Sequence, residues 1–139
     1  MEITSIKTAA TVGHGMHLWV RVSTDAGIVG TGECVHGGKQ AIAIIQYLEE
    51  KLVGRDPFAI ERHWLNMFRL SDHAGYGGAE LRALSAIDMA LWDIKGQAAG
   101  VPVYELLGGA VRKKIRVYAT GAPFEGCGDL AKELIDDGM

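Results

Sequence analysis

Apolar and polar residues alternate along the first 35 residues of the chain, which is the spacing of half-buried β-strands. Strands are expected over residues 3–12, 17–23 and 28–35. In the clearest of them three apolar side chains share one face: Leu18, Val20 and Val22. Short glycine-containing turns, over residues 13–16 and 25–27, separate the strands. The pattern predicts a three-stranded antiparallel meander, one face of which must be covered.

The apolar spacing then changes to three and four, which indicates amphipathic helices. Four helices are expected, over residues 39–52, 57–68, about 80–98 and 102–107. Asp56 and Pro57 have the residue types of a helix cap and a first helical position, and Pro102 suits the same first position. The third helix carries one apolar stripe: Ala83, Ile87, Ala90, Leu91 and Ile94. A meander followed by a helical bundle predicts an α+β fold.

Gly109 is the expected domain boundary, dividing the chain into residues 1–109 and 110–139. After it, residues 114–120 have the alternation of one strand. Residues 129–137 have the spacing of one amphipathic helix. The second segment is therefore expected to be a single β/α unit.

Composition limits the classes of protein to which the chain can belong. Its 139 residues, 48% hydrophobic and 22% charged, are typical of a globular domain. A formal net charge of -3 offers no basic surface for nucleic acid. No apolar run approaches the roughly 20 residues of a membrane helix, and the N-terminus lacks the pattern of a signal peptide. Two cysteines imply no disulfide framework, so a cytoplasmic protein with neither nucleic-acid nor membrane partners is expected.

Residues 83–108, ALSAIDMALWDIKGQAAGVPVYELLG, form the most specific motif of the chain. Its alanines, its two aspartates and its closing Pro-Val and Leu-Leu-Gly resemble, at fixed spacing, the signature of the mandelate racemase and muconate lactonizing enzyme group of the enolase superfamily. Within that group, this helix and the segment GECVHGG look most like the acid-sugar dehydratases. One difference is Thr31, since many members have Trp between the two glycines of that strand.

The resemblance implies an enolase-type N-terminal capping domain, followed by the first β/α unit of a truncated (β/α)8 barrel. A barrel needs roughly 250 residues, so the chain is expected to be a fragment that is inactive by itself. Members of the family abstract the proton α to a carboxylate and stabilise the product anion with Mg²⁺. Their bases and metal ligands lie on later barrel strands. The resemblance therefore places the Mg²⁺ ligands outside this chain and assigns no catalytic residue within it.

The cap of such enzymes contributes loops that close over the distal end of the substrate. Two loops are expected to do so here, at residues 13–17 and 34–39. They contain His14, His17 and His36, which we predict to be substrate-binding. The His-x-x-His spacing of the first two also suggests a metal site, but no cysteine or carboxylate lies nearby in sequence to complete it. A surface turn is the alternative for His36.

Tyr118 and Thr120 lie towards the C-terminal end of the predicted barrel strand, where barrel enzymes have their sites. They are the remaining predicted substrate contacts, with packing an equal alternative. The expected substrate is a small carboxylate, most simply a sugar acid that is dehydrated, and the expected assembly is a homo-oligomer. Racemisation, epimerisation and cycloisomerisation remain open on the same scaffold. So does a non-catalytic, stand-alone cap that acts as an interaction module.

Overall fold

The computed structural model describes residues 1–13, 15–35, 38–71, 77–116 and 126–136. Its strands are β1 (Ile3–Gly13), β2 (Gly15–Thr24) and β3 (Val29–Val35). Its helices are α1 (Gly38–Leu52), α2 (Ile60–Ser71), α3 (Ala79–Ala99), α4 (Val103–Leu106) and α5 (Cys127–Asp136). The chain separates into two compact units, Met1–Gly108 and Gly109–Met139. The first unit holds the sheet and α1 to α4; of the elements above, the second holds α5.

The sheet is antiparallel with strand order β1-β2-β3, so the predicted meander followed by helices is confirmed. Its inner face is the one that the alternation indicated, with the side chains of Leu18, Val20 and Val22 fully buried. Against it lies α3, whose predicted apolar stripe is also fully buried: Ala83, Ile87, Ala90, Leu91 and Ile94. Both periodicities therefore identified the surfaces that meet in the core.

The hairpin between β1 and β2 is tighter than the sequence predicted. Gly13 pairs with Gly15 and Val12 with Met16, so most of the expected turn at residues 13–16 belongs to the strands. Backbone hydrogen bonds do not depend on side-chain type. Glycines at a strand end can therefore continue a ladder whose register is already fixed.

The main contact between the helices and the sheet is an unusually close approach of α3 to β3. A Cβ atom built on Gly32 would lie 1.9 Å from the carbonyl oxygen of Ala86, and one built on Gly30 would lie 2.0 Å from that of Ala90. No side chain fits there. Glycine on the strand and alanine on the helix let the two backbones touch, a known role of glycine in strands.

Helix side chains also bind the polar backbone groups along the outer strands. On β3, Asp93 Oδ2 accepts a hydrogen bond from the N–H of Thr31, and Gln97 Nε2 donates one to the carbonyl oxygen of Val29, both at 2.8 Å. On β1, Glu49 Oε1 of α1 accepts a 2.8 Å hydrogen bond from the N–H of Ile6. Unpaired edge groups would otherwise invite strand pairing with another chain.

The predicted start of one helix is wrong by three residues. Helix α2 begins at Ile60 rather than at Pro57. The Asp56 carboxylate accepts the N–H of Phe58 at 3.0 Å, which closes a turn of the kind Asp forms with the residue two positions on. The carbonyl oxygen of Asp56 is 2.7 Å from Nε2 of the buried His63, so this histidine holds the turn against the helix.

Two further differences concern the segments around α4 and α5. Pro102 is the N-cap of α4, which begins one residue later at Val103, rather than its first helical residue. The strand predicted over residues 114–120 lies largely outside the described residues, and residues 114–116 have no regular secondary structure. The helix predicted over residues 129–137 is present as α5.

We predict that Gly32→Ala destabilises the first unit by about 3 kcal/mol, the upper part of the usual range for overpacking, because a backbone carbonyl cannot rotate away from the new methyl group. Thermal or urea unfolding of the chain measures the effect. Gly77→Ala is the matched control, since a Cβ there meets nothing within 4 Å. Equal stability of the two variants would contradict the close approach of α3 to β3.

A second prediction concerns Asp88 on α3. Burial raises the pKa of its carboxyl group, and the negative charge of Glu61 on α2 raises that pKa further. The charged form is thus less favourable in the folded than in the unfolded chain, so Asp88 costs stability above the raised pKa. Asp88→Asn should increase the melting temperature at neutral pH. The gain should shrink as the pH falls through the raised pKa. It should disappear once Asp88 is protonated in both the folded and the unfolded chain.

Glu61→Gln serves as the matched variant, because it removes only the repulsion and should give a smaller gain with the same pH dependence. A melting temperature that falls at neutral pH would show that Asp88 is stabilised in its charged form. A gain that is the same in acid would show that ionisation of Asp88 is not its cause.

Candidate functional site

Of the predicted substrate contacts, the structure describes His17. It lies in β2, paired with Thr11 of β1 and Val35 of β3, so it belongs to the strand predicted over residues 17–23 rather than to the loop predicted over residues 13–17. The other four predicted contacts lie outside the described residues: His14, His36, Tyr118 and Thr120. The second predicted loop is also shorter than expected, because β3 extends to Val35 and α1 begins at Gly38.

His17 is held by a carboxylate of the neighbouring strand. Its Nδ1 atom lies 2.5 Å from Oε1 of Glu33, and both side chains are about half-buried. The two residues are diagonal neighbours, since Trp19 is the residue directly opposite Glu33. Such pairs on one face of a sheet fix each other's side-chain positions. The imidazole therefore has a defined orientation on the face opposite the core.

Glu33 also lines a small cavity, of about 280 Å³, between the end of β3 and the start of α3. Its other lining residues are Cys34, Gly78, Leu81, Arg82 and Ser85. Arg82 and Ser85 are three positions apart on α3, so they share a helix face, and both are exposed. Within the described part of the chain, the Arg82 guanidinium makes no ion pair. The cavity thus offers a free cation, a hydroxyl and a carboxylate.

Glu33, Arg82 and Ser85 were not identified from the sequence. Glu33 ends a Gly-x-Gly-Glu segment, whose distinguishing feature is its missing tryptophan. Arg82 and Ser85 are polar positions of a helix whose strongest pattern is its apolar stripe. A polar pair at helical spacing beside that stripe was the available signal. Its proximity to Glu33, however, depends on how α3 packs on β3.

The thiol of Cys34 is not an activated nucleophile. Burial raises its pKa, the Arg82 guanidinium lowers it by less, and the nearby Glu33 charge raises it by a smaller amount still. Because the thiolate is the reactive form, a raised pKa keeps this cysteine inert at neutral pH. Cys34 is therefore a packing residue of the cavity wall.

The described residues do not provide a divalent-metal site. Nowhere in residues 1–13, 15–35, 38–71, 77–116 and 126–136 do three His, Cys, Asp or Glu side chains come together as a ligand group. The Mg²⁺ that the resemblance implies therefore has no fitting ligand set among them. Among the described residues, no helix has both the length and the apolar character needed to cross a membrane.

A three-stranded meander covered by helices, with its long third helix lying on the glycines of β3, is the architecture of an enolase-type N-terminal capping domain. Residues 2–108 match the family model described as mandelate racemase / muconate lactonizing enzyme, N-terminal domain. The chain belongs to this family. The resemblance inferred from residues 83–108 is thereby confirmed, as is the likeness to acid-sugar dehydratases.

Three similar proteins illustrate the relationship. D-galactonate dehydratase of Verminephrobacter eiseniae is 43% identical over 120 residues, covering 85% of this chain and 31% of the relative. D-galactarolactone cycloisomerase of Agrobacterium fabrum is 41% identical over 106 residues, covering 76% and 28%. The crystal structure of an enolase from Agrobacterium radiobacter, bound to sodium and L-malate, superposes with a TM-score of 0.85 at 35% identity, covering 99% and 36%. The chain thus spans about a third of the length of the relatives it matches.

The two cysteines should differ in reactivity. Cys34 is buried and Cys127 is exposed at the start of α5. We expect a thiol reagent such as DTNB to modify one cysteine rapidly in the native chain and both cysteines in denaturant. Cys127→Ser should abolish the rapid phase, whereas Cys34→Ser should leave it unchanged. Rapid labelling of Cys34 would show that the cavity wall is open to solvent.

Proposed function

We propose that this chain is the capping domain and barrel start of an enzyme that abstracts the proton α to the carboxylate of a sugar acid and eliminates water. The observation that carries this proposal is the 43% identity, over 85% of the chain, to a D-galactonate dehydratase. Cycloisomerisation of a sugar-acid lactone is the second candidate, supported by the 41% identity to D-galactarolactone cycloisomerase. Because both reactions begin with removal of a proton α to a carboxylate, a cap of this kind is compatible with either.

The chemical step, in this proposal, belongs to residues outside the chain. The described residues lack a fitting Mg²⁺ ligand set, and the family's base and metal ligands lie on later barrel strands. Mg²⁺ would supply a cation next to the developing negative charge of the product anion. The cap's own contribution is to bind and orient the distal end of the substrate and to exclude water.

We assign that contribution to the site around Glu33. The His17–Glu33 pair and the side chains of Arg82 and Ser85 offer donors and acceptors to a hydroxylated, negatively charged molecule. An apolar acid would leave these groups unpaired, and a site built to hydrogen-bond its substrate rejects such analogues strongly. His14 and His36, together with Tyr118 and Thr120, remain predicted substrate contacts.

The test uses the longer polypeptide that contains this sequence, incubated with Mg²⁺ and a panel of sugar acids and their lactones. We expect at least one acid to lose water, with solvent deuterium exchanged at the carbon α to the carboxylate. The 139-residue chain alone should neither turn over any acid nor bind Mg²⁺ tightly. Absence of both turnover and exchange in the metal-loaded longer polypeptide would instead favour a non-catalytic role.

We further predict that His36→Ala, in the longer polypeptide, changes the ranking of accepted sugar acids by about tenfold in kcat/KM, the equivalent of one hydrogen bond. Deuterium exchange should survive for at least one acid, because the proton is removed elsewhere. His14→Ala should have a smaller effect. Gln40→Ala, an exposed change near the start of α1, is the control. Loss of all exchange with metal still bound would give His36 a catalytic role.

A further inference from the structure

A second cavity in the described part of the chain is distinct from the site around Glu33. It has a volume of about 670 Å³ and lies between the C-terminal end of α1, the following turn and α2. This volume is within the range of ordinary ligand pockets, roughly 300–1,000 Å³. The two cavities share no lining residue, so a ligand here would occupy a different site from the one around Glu33.

Cationic side chains dominate the lining of this cavity. Four of them face two carboxylates: Lys51, Arg55, Arg62 and Arg69 against Glu50 and Asp56. The Asp56 carboxylate accepts the N–H of Phe58 and keeps its charge. Lys51 Nζ lies 5.3 Å from the centre of the Tyr47 ring. Four cations against two carboxylates leave the lining with excess positive charge.

The three arginines make no ion pair with a described residue, although Glu50 and Asp56 line the same cavity. The ion pairs found among the described residues involve neither Arg55 nor Arg62 nor Arg69, and no described residue accepts a side-chain hydrogen bond from them. Three guanidinium groups around one cavity repel one another. A ligand with negative charge would relieve this repulsion and pair with the planar guanidinium forks, which match carboxylates. We call this space the arginine cavity.

The spacing of two arginines limits the shape of the ligand. Arg62 and Arg69 are seven residues apart on α2, which places them on the same helix face and about 10 Å apart along its axis. Of the other lining residues, Asn66 is exposed between the two arginines, whereas Leu52 and Met67 are almost fully buried. A ligand that uses both arginines therefore has two anionic groups about 10 Å apart. A short or singly charged anion does not fit this description.

We propose that the arginine cavity binds an elongated organic dianion, namely a long-chain dicarboxylate. Arg62 and Arg69 bind its two anionic ends, and Arg55 adds positive charge at the end of α1. This site stands on the geometry of the first unit alone. It does not require the proposed reaction to be correct.

The test measures calorimetric binding of four small molecules to the 139-residue chain. Suberate has two carboxylates at the ends of an eight-carbon chain, octanoate has one carboxylate, and octanediol has none. Succinate has two carboxylates that are much closer together. We expect suberate to bind about tenfold more tightly than octanoate, because a charge-assisted hydrogen bond is lost with each carboxylate. Octanediol and succinate should bind weakest. Added salt should weaken suberate most.

Arg62→Gln and Arg69→Gln should each weaken suberate about tenfold and leave octanediol unchanged. Arg21→Gln, an exposed change on β2, is the matched control and should bind suberate like the wild type. Melting curves without ligand verify that each variant is folded. Suberate that binds no more tightly than octanediol or succinate overturns the proposal. So does suberate binding that both α2 arginine variants retain in full.

Discussion

The contact between the backbones of α3 and β3 is the constraint on which the rest of the first unit depends. At Gly30 and Gly32 the strand has no side chain, and the carbonyl groups of Ala86 and Ala90 occupy the space where a Cβ would be. This distance sets how deeply the apolar stripe of α3 enters the inner face of the sheet. It also brings Asp93 and Gln97 within reach of the outer strand, so that helix side chains bind its free backbone groups.

The candidate site is a consequence of the same contact. The N-terminal half of α3 carries Arg82 and Ser85 on the side next to β3. Glu33 and Cys34 lie near the C-terminal end of that strand. A wider separation of helix and strand would leave these residues on two separate surfaces. The Glu33 carboxylate links the cavity to His17 on the neighbouring strand, so one acidic side chain positions the imidazole and forms part of the cavity wall. Positioning of this kind suits a cap that orients a substrate.

Membership in the family separates the roles of the two parts of such an enzyme. The matched domain ends at residue 108, where the first compact unit also ends. Its described residues provide hydrogen-bonding groups and a free cation but no metal ligand set. The arginine cavity adds a second concentration of charge, and it shares no lining residue with the cavity around Glu33. One small fold thus has two chemically different surfaces.

The sequence by itself determined which residues face the core, because the periods of strands and helices are local properties of the chain. The alternation at Leu18, Val20 and Val22 and the stripe on α3 both gave the correct surfaces. The motif at residues 83–108 likewise determined the family. Helix starts were less certain, since at Asp56 a side-chain turn competed with a helix cap of the same residue types.

Tertiary structure alone decided which polar residues meet. Thr31 and Asp93 are 62 positions apart and His17 and Glu33 are 16 apart, and neither pairing follows from local spacing. The cavity around Glu33 and the arginine cavity each combine residues from two or more elements, whose proximity depends on the depth of packing. Periodicity reports the direction in which a side chain points from its own element. The partner it reaches is decided by the distance between elements, which the close contact of α3 with β3 sets for this chain.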